Sequence, residues 1–154
     1  MRRLATAAVV LFLPFAASAQ LNVAHTLTAE ATRRALQAAE AEARKEKWNV
    51  SIAVVDQGGE LAGFLRLEGS APSTIAVSQQ KARAAARFRR PTKALDSALA
   101  GGRLALLAME GAMPVEGGVP IIVNGEIVGA VGVSGATSAQ DAQVARAAAA
   151  VITP

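Results

Sequence analysis

The chain contains no cysteine and no tyrosine, and it has one tryptophan, four phenylalanines and a single histidine, His25. Without cysteine, neither disulfides nor thiolate chemistry is available, and one histidine cannot form the Cys/His cluster of a structural zinc site. The scarcity of aromatic side chains argues against a surface that stacks nucleic-acid bases. We therefore expect a protein held together by its apolar core or by self-association, with no nucleic-acid partner.

The first 19 residues have the features of an export signal. Arg2 and Arg3 precede an apolar run that is too short to span a bilayer, and Ala17-Ser18-Ala19 fits the small-x-small cleavage pattern. We predict cleavage after Ala19, one mature domain over residues 20–154, a periplasmic or secreted location and no stable membrane anchor. Cleavage lowers the number of basic residues from 16 to 14, against 12 acidic ones. The charge of the mature protein is therefore modest.

Two hairpins are predicted from turn residues that separate apolar runs. Gly58-Gly59 lies between the runs 50–56 and 60–67. Asn124-Gly125 separates Val119–Val123 from Ile127–Val133, and Asn-Gly favours the type I′ turn because both of its central residues need positive φ. Hairpins without repeated βαβ units favour an antiparallel sheet covered by helices.

Four helices are predicted around these hairpins. Thr28 can cap a helix that runs to about residue 47, the next two extend over about 72–88 and 91–100, and Ser138 with Asp141 indicates a capping box before the last. The apolar run Leu104–Met109 can be strand or helix. Counted as a strand, it gives an α+β fold with about five antiparallel strands and helices packed on them, in profilin-like layers.

Lys81 is the most informative charged residue. Val77, Lys81, Ala84 and Phe88 follow one another at helical spacings of four, three and four, which places the lysine on an otherwise apolar face. Such a lysine must extend to solvent, pair with an acid or meet an anionic ligand. The same pattern is compatible with a lysine that has only a structural role.

Three other candidates have competing explanations. Arg66 can hold a carboxylate in two hydrogen bonds or pair locally with Glu68. Ser134 lies in a Gly-Val-Ser-Gly sequence that resembles a nucleophile elbow but lacks its last glycine, and the single available base, His25, lies in the leader before the first helix, so the residues argue against a serine hydrolase. His25, Met109 and Met113 are the imidazole and thioether groups that can ligate haem iron, with lysine or oxygen ligands as alternatives.

Several motifs, in the right order, are similar to those of the GlcG/HbpS-like haem-binding family, which also occurs as the C-terminal domain of PduO-type proteins. The resemblance extends from about Leu27 to Ile152. The matching segments are Val54-Val55-Asp56-x-Gly58-Gly59, Arg66-Leu67-Glu68-Gly69, Lys81-Ala82-Arg83-Ala84-Ala85, Phe88-x-Arg90-Pro91-Thr92, Gly117-Gly118-Val119-Pro120-Ile121, Gly129 to Ala136, Gln140-Asp141 and Val144-Ala145.

The resemblance implies a central antiparallel sheet, assembly into dimers or larger oligomers, and binding of haem or a related tetrapyrrole in some members. Secreted members act in haem or redox sensing, and the iron ligand is not uniform among those that bind haem. We therefore expect an exported protein that binds haem or another small anionic ligand. The candidate ligand-binding residues are Lys81, Arg66, Phe88, Gly117, Gly118, Ser134 and Asp141, with His25 as the metal ligand.

In this hypothesis Lys81 and Arg66 hold the haem propionates, while Val, Ala and Phe side chains line a groove for the macrocycle. Two alternatives remain open at this stage. One is an enzyme for a small carbonyl or carboxylate substrate, with Lys81 and Asp141 as acid–base groups. The other is an accessory oligomer that binds no ligand.

Overall fold

The computed structural model describes residues 25–153, so the predicted signal peptide over residues 1–19 lies outside the described residues. In chain order the elements are α1 (Ala29–Lys45), β1 (Ser51–Asp56), β2 (Leu61–Arg66), α2 (Ser73–Arg87), α3 (Thr92–Ala100), a 3₁₀ helix (Leu104–Ala108), β3 (Gly118–Val123), β4 (Glu126–Ser134) and α4 (Ser138–Ala150). Within residues 25–153, no helix has the length and apolar character needed to cross a membrane.

The sheet is antiparallel and has four strands, in the order β2-β1-β4-β3. The predicted α+β fold is confirmed, but the prediction of about five strands is wrong. The run Leu104–Met109 forms a short 3₁₀ helix, in which only Leu106 is buried. The run contains leucine and alanine but none of the β-branched residues that fit a pleated strand. Its residues also do not alternate between buried and exposed positions, as those of a half-buried strand would.

Successive side chains of a strand point to opposite faces of the sheet, so the core has two parts, one on each face. Ile52 and Val54 of β1, like Val131 and Val133 of β4, point to the side covered by α1 and α4. The opposite face carries small side chains, among them Ala53 and Ala130, and it is covered by α2. All of these side chains are fully buried, so the two strands form the centre of a three-layer structure.

Helix α2 lies unusually close to the sheet because the strands beneath it carry glycine. A Cβ atom at Gly132 would overlap the carbonyl oxygen of Ser78 and the backbone nitrogen of Ala82, both in α2. One at Gly118 would overlap the carbonyl oxygen of Lys81. These glycines therefore accommodate the protein's own helix.

The ends of α1 and α4 test the predicted caps. The hydroxyl oxygen of Thr28 accepts a hydrogen bond from the Ala31 amide at 3.1 Å, as predicted. At α4 the capping box is one position earlier than predicted, because it is formed by Thr137 and Gln140 instead of Ser138 and Asp141. The backbone amide of each residue donates to the side-chain oxygen of the other. Thr137 has the extended backbone of a cap, φ −69° and ψ 154°. The carboxylate of Asp141 is consequently free to point into the protein.

Candidate functional site

Lys81 and Asp141 form a buried ion pair at the end of β4. The Lys81 ammonium donates to Asp141 Oδ2 at 2.8 Å and to the carbonyl oxygen of Val133 at 3.0 Å, while Asp141 Oδ1 accepts from the Ala136 amide at 3.0 Å. The side chains of Lys81 and Asp141 are only 2% and 3% exposed. The anion that the apolar face requires is therefore an aspartate of the same chain, 60 residues further along.

The electrostatics of this pair are dominated by the cost of burial. Burial raises the pKa of Asp141, and the opposing contributions of Lys81 and of the Ala136 and Gly135 amides do not fully cancel that increase. An ionised carboxylate is tolerated here because Lys81 and these amides surround it. Both groups are closed off from solvent, so in this conformation neither reaches a substrate, and the acid–base hypothesis gains no support.

Gly117, Gly118 and Ser134 lie beside this pair, so five of the predicted ligand-binding residues do come together. Gly117 has φ +132°, and a Cβ atom there would lie 2.7 Å from Lys81 Nζ. The Gly118 amide donates to the Thr92 hydroxyl at 2.9 Å, and Ser134 is nine-tenths buried. Packing within the chain thus occupies the space that these residues were expected to leave for a ligand.

Arg66 and Phe88 lie away from this pair. Arg66 donates to the hydroxyl of Ser70 at 3.1 Å and to its carbonyl oxygen at 2.6 Å, and the expected local pair with Glu68 is absent. Glu68 instead contacts Arg44, at 3.6 Å. Phe88 is half-buried among apolar residues of α3 and the 3₁₀ helix. The structure does not bring Lys81, Arg66 and Phe88 into one groove.

An open cleft of about 270 Å³ lies where the segment before α1 meets the β3–β4 hairpin and the end of the described chain. We call it the His25 cleft. His25 Nδ1 is 2.9 Å from Glu126 Oε2, and Arg34 donates to the carbonyl oxygen of Val151 at 2.8 Å. The lining combines polar and apolar side chains and comprises residues 25–28, 30, 31, 34, 123, 128, 152 and 153.

The bond to Glu126 matters for what His25 can bind. A carboxylate at Nδ1 orients the imidazole and leaves Nε2 available, an arrangement that is common for histidines that ligate metals. Sequence reasoning identified His25 but missed Glu126 and Arg34. Glu126 is 101 residues away from His25, and no local spacing pattern relates them.

A second cleft, of about 330 Å³, lies against α2 and includes Arg83, Arg87 and Met113 in its lining. Arg83 Nε donates to the carbonyl oxygen of Gly59, and Arg87 Nε to that of Gly58. Both guanidinium groups therefore fasten the β1–β2 turn onto α2. In residues 25–153, no group of three or more acidic or histidine side chains is arranged to hold a metal ion by itself.

Comparison with known proteins agrees with this architecture. Residues 27–150 match the family model described as haem degrading protein HbpS-like. Protein GlcG of Escherichia coli K12 is 48% identical over 99 residues, which cover 64% of this chain and 74% of GlcG.

Solved structures with the same fold include a double mutant of HbpS from Streptomyces reticuli, which has a TM-score of 0.80 and 35% identity over 92% of this chain and 98% of that one. The structure of a PduOC–haem complex has a TM-score of 0.76 and covers 83% of this chain and 96% of that one, but at 22% identity the likeness concerns the fold alone. From the family match, the GlcG relationship and the HbpS likeness, we conclude that this chain belongs to the GlcG/HbpS-like family.

Proposed function

We propose that the protein binds haem, and that it does so in the His25 cleft. The family description names haem as the molecule on which HbpS-like proteins act. In this chain the observation that carries the proposal is the His25–Glu126 hydrogen bond beside an apolar wall. An imidazole with an available Nε2 is a common protein ligand of haem iron. If haem binds here, it would supply a Lewis-acidic iron centre held by His25.

The other residues of the cleft suit the rest of the cofactor. Leu27 is partly exposed and offers apolar surface that fits a tetrapyrrole ring, whereas Val128 and Ile152 also line the cleft but are only 4% and 9% exposed. Arg34 is exposed and uses one terminal nitrogen on the Val151 carbonyl, so its remaining N–H groups suit a propionate. Arg34 thereby takes the role that sequence reasoning gave to Lys81, whose ammonium is buried. The cleft is open and slightly smaller than most ligand pockets, so part of the macrocycle would stay exposed.

A haemin titration of the purified mature protein tests this proposal. We expect a Soret shift that saturates, and we expect His25→Ala to weaken the affinity by roughly tenfold or more, since it removes the proposed iron ligand. Arg34→Ala should weaken binding by several-fold, because one charge-assisted hydrogen bond is lost. The affinities are read from Soret absorbance, with thermal melts to verify folding.

Matched variants keep this test specific. Arg44→Ala removes an exposed arginine of α1 whose partners, Glu40 and Glu68, lie outside the cleft, so it should leave the affinity unchanged. Met113→Ala removes a soft iron ligand from the second cleft and should also be neutral. Equal affinities for wild type and His25→Ala would reject the site, and the absence of any saturable Soret change would reject haem binding.

We further propose that the protein handles or senses haem after export. The support is the basic start, apolar run and Ala17-Ser18-Ala19 of the N-terminus. Mass spectrometry of the protein from a host with a periplasm should find Gln20 as the first residue. Recovery of the uncleaved chain from the cytoplasm would overturn this part of the proposal without affecting the haem titration.

A further inference from the structure

The second cleft has a charged lining that the proposed haem site does not use. Its volume of about 330 Å³ lies at the lower end of the range for small-molecule sites. Helix α2 contributes Gln80, Arg83 and Arg87, and the segment 110–113 contributes the rest of the lining. Two guanidinium groups on consecutive turns of one helix thus line a space large enough for a small molecule.

The β1–β2 turn orients both arginines. Arg83 Nε donates to the carbonyl oxygen of Gly59 at 3.2 Å, and Arg87 Nε donates to that of Gly58 at 3.0 Å. The turn is itself held by Asp56, whose Oδ1 accepts from the Gly58 amide at 2.8 Å. A hydrogen bond through Nε restricts the plane of a guanidinium group and leaves its terminal nitrogens for another partner.

The two arginines differ in what neutralises their charge. Arg87 Nη2 donates to Glu60 Oε1 at 3.0 Å, so this cation has a counter-charge. Arg83 is partly buried, yet within residues 25–153 it forms no ion pair, and its terminal nitrogens make no hydrogen bond. A cation that is partly removed from water and lacks a counter-ion favours an anionic ligand.

A carboxylate lines the same cleft without pairing with Arg83. Glu110 is exposed, and no ion pair connects it to Arg83 or to another residue in the described part of the chain. The cleft therefore presents a cation and an anion that do not neutralise each other. Such a pair is complementary to a molecule that carries a carboxylate at one end and an ammonium group at the other.

We propose that the second cleft binds a free α-amino acid with a small apolar side chain. The carboxylate of this ligand accepts from the terminal N–H groups of Arg83, because the flat guanidinium fork matches two carboxylate oxygens. The ammonium group of the ligand pairs with Glu110. Ala112 and Met113, which are partly buried, provide the apolar contact for its side chain.

The small size of the ligand sets the expected affinity. Such a ligand makes few contacts and loses its translational freedom, so we expect a dissociation constant roughly in the millimolar range. Glu110 repels a ligand with several negative charges, so inorganic phosphate should bind more weakly than an amino acid. Binding requires no haem, and its test is therefore independent of the proposed function.

An NMR titration of the haem-free, ¹⁵N-labelled protein with L-alanine, at constant ionic strength, tests the proposal. The Nε–H resonance of Arg83 and the amide resonances of Gly111 and Ala112 should shift and saturate. Propionate lacks the ammonium group and L-alaninamide lacks the carboxylate, so each should bind about tenfold more weakly.

Variants assign the two charges of the ligand to the two side chains. Arg83→Met keeps most of the apolar stem and removes the guanidinium group, so L-alanine should bind about tenfold more weakly. Glu110→Gln should weaken L-alanine binding several-fold but should not weaken propionate binding, because propionate has no ammonium group. The affinities of both variants are read from the amide resonances of Gly111 and Ala112.

Two matched variants serve as controls. Arg146→Ala removes an exposed arginine of α4, and Glu68→Gln neutralises an exposed glutamate after β2; neither residue lines the second cleft. Both should leave the affinity for L-alanine unchanged. The proposal would be overturned by a wild-type protein that shows no saturable shift, by equal affinities for L-alanine and propionate, or by an Arg83→Met variant that binds like wild type. Phosphate that binds more tightly than L-alanine at the same resonances would also overturn it.

Discussion

Asp141→Ala is expected to lower the free energy of unfolding by roughly 3–5 kcal/mol, because it leaves the Lys81 ammonium buried without its counter-charge. The Val133 carbonyl would be the one remaining hydrogen-bond partner of Lys81 identified among residues 25–153. The substitution also removes the acceptor of the Ala136 amide. Urea denaturation of wild type and variant measures the loss.

The double variant Lys81→Met/Asp141→Leu shows how much stability is lost when the whole ion pair is removed, as opposed to one partner alone. Replacing a buried ion pair with apolar residues is often close to neutral, so the double variant should be more stable than either single one. Glu30→Ala breaks the exposed pair with Arg33 and should cost less than about 1 kcal/mol. An Asp141→Ala protein as stable as wild type would contradict the role of the pair.

Gly132→Ala is expected to destabilise the protein by about 3 kcal/mol, at the upper end of what overpacking a core usually costs. The added methyl group would overlap backbone atoms of Ser78 and Ala82, which cannot move without shifting α2 away from the sheet. Thermal or urea unfolding measures the effect. A variant that does not fold at all would agree with the same account.

Gly58→Ala is the matched control for this overpacking. A Cβ atom at Gly58 would have the Asp56 carboxylate oxygen, at 3.3 Å, as its close neighbour, and the backbone there does not require positive φ. We expect a change of less than about 1 kcal/mol, the range of an ordinary glycine-to-alanine exchange. Equal effects of the Gly132 and Gly58 substitutions would show that α2 has room to move.

The parts of the fold that sequence predicts well depend on local signals. Asn124 and Gly125 have φ values of 52° and 79°, as a type I′ turn requires. Thr28 caps α1 because its hydroxyl oxygen accepts a hydrogen bond from the amide of Ala31, only three residues further along the chain. The run Leu104–Met109 has neither β-branched residues nor a clear period, so its sequence does not distinguish a fifth strand from a helix.

The candidate sites depend on contacts between distant residues. The apolar face around Lys81 correctly indicates a need for an anion, but the choice between a ligand and an acid of the same chain requires the fold. Asp141 has a plausible local role as a cap, and it meets Lys81 because α2 and α4, which carry the two residues, both pack against β4. Similarly, Glu126 and Arg34 enter the His25 cleft from separate elements.

The location of the iron in a crystal of the haemin complex is the most direct test of the proposed haem site. Anomalous diffraction at the iron absorption edge would identify the metal without reference to the shape of the macrocycle. We predict one iron peak per chain, at coordinating distance from His25 Nε2 and in the cleft that Leu27, Arg34 and Ile152 line. An iron peak beside Met113 in the second cleft, or anywhere away from His25, would contradict the proposal.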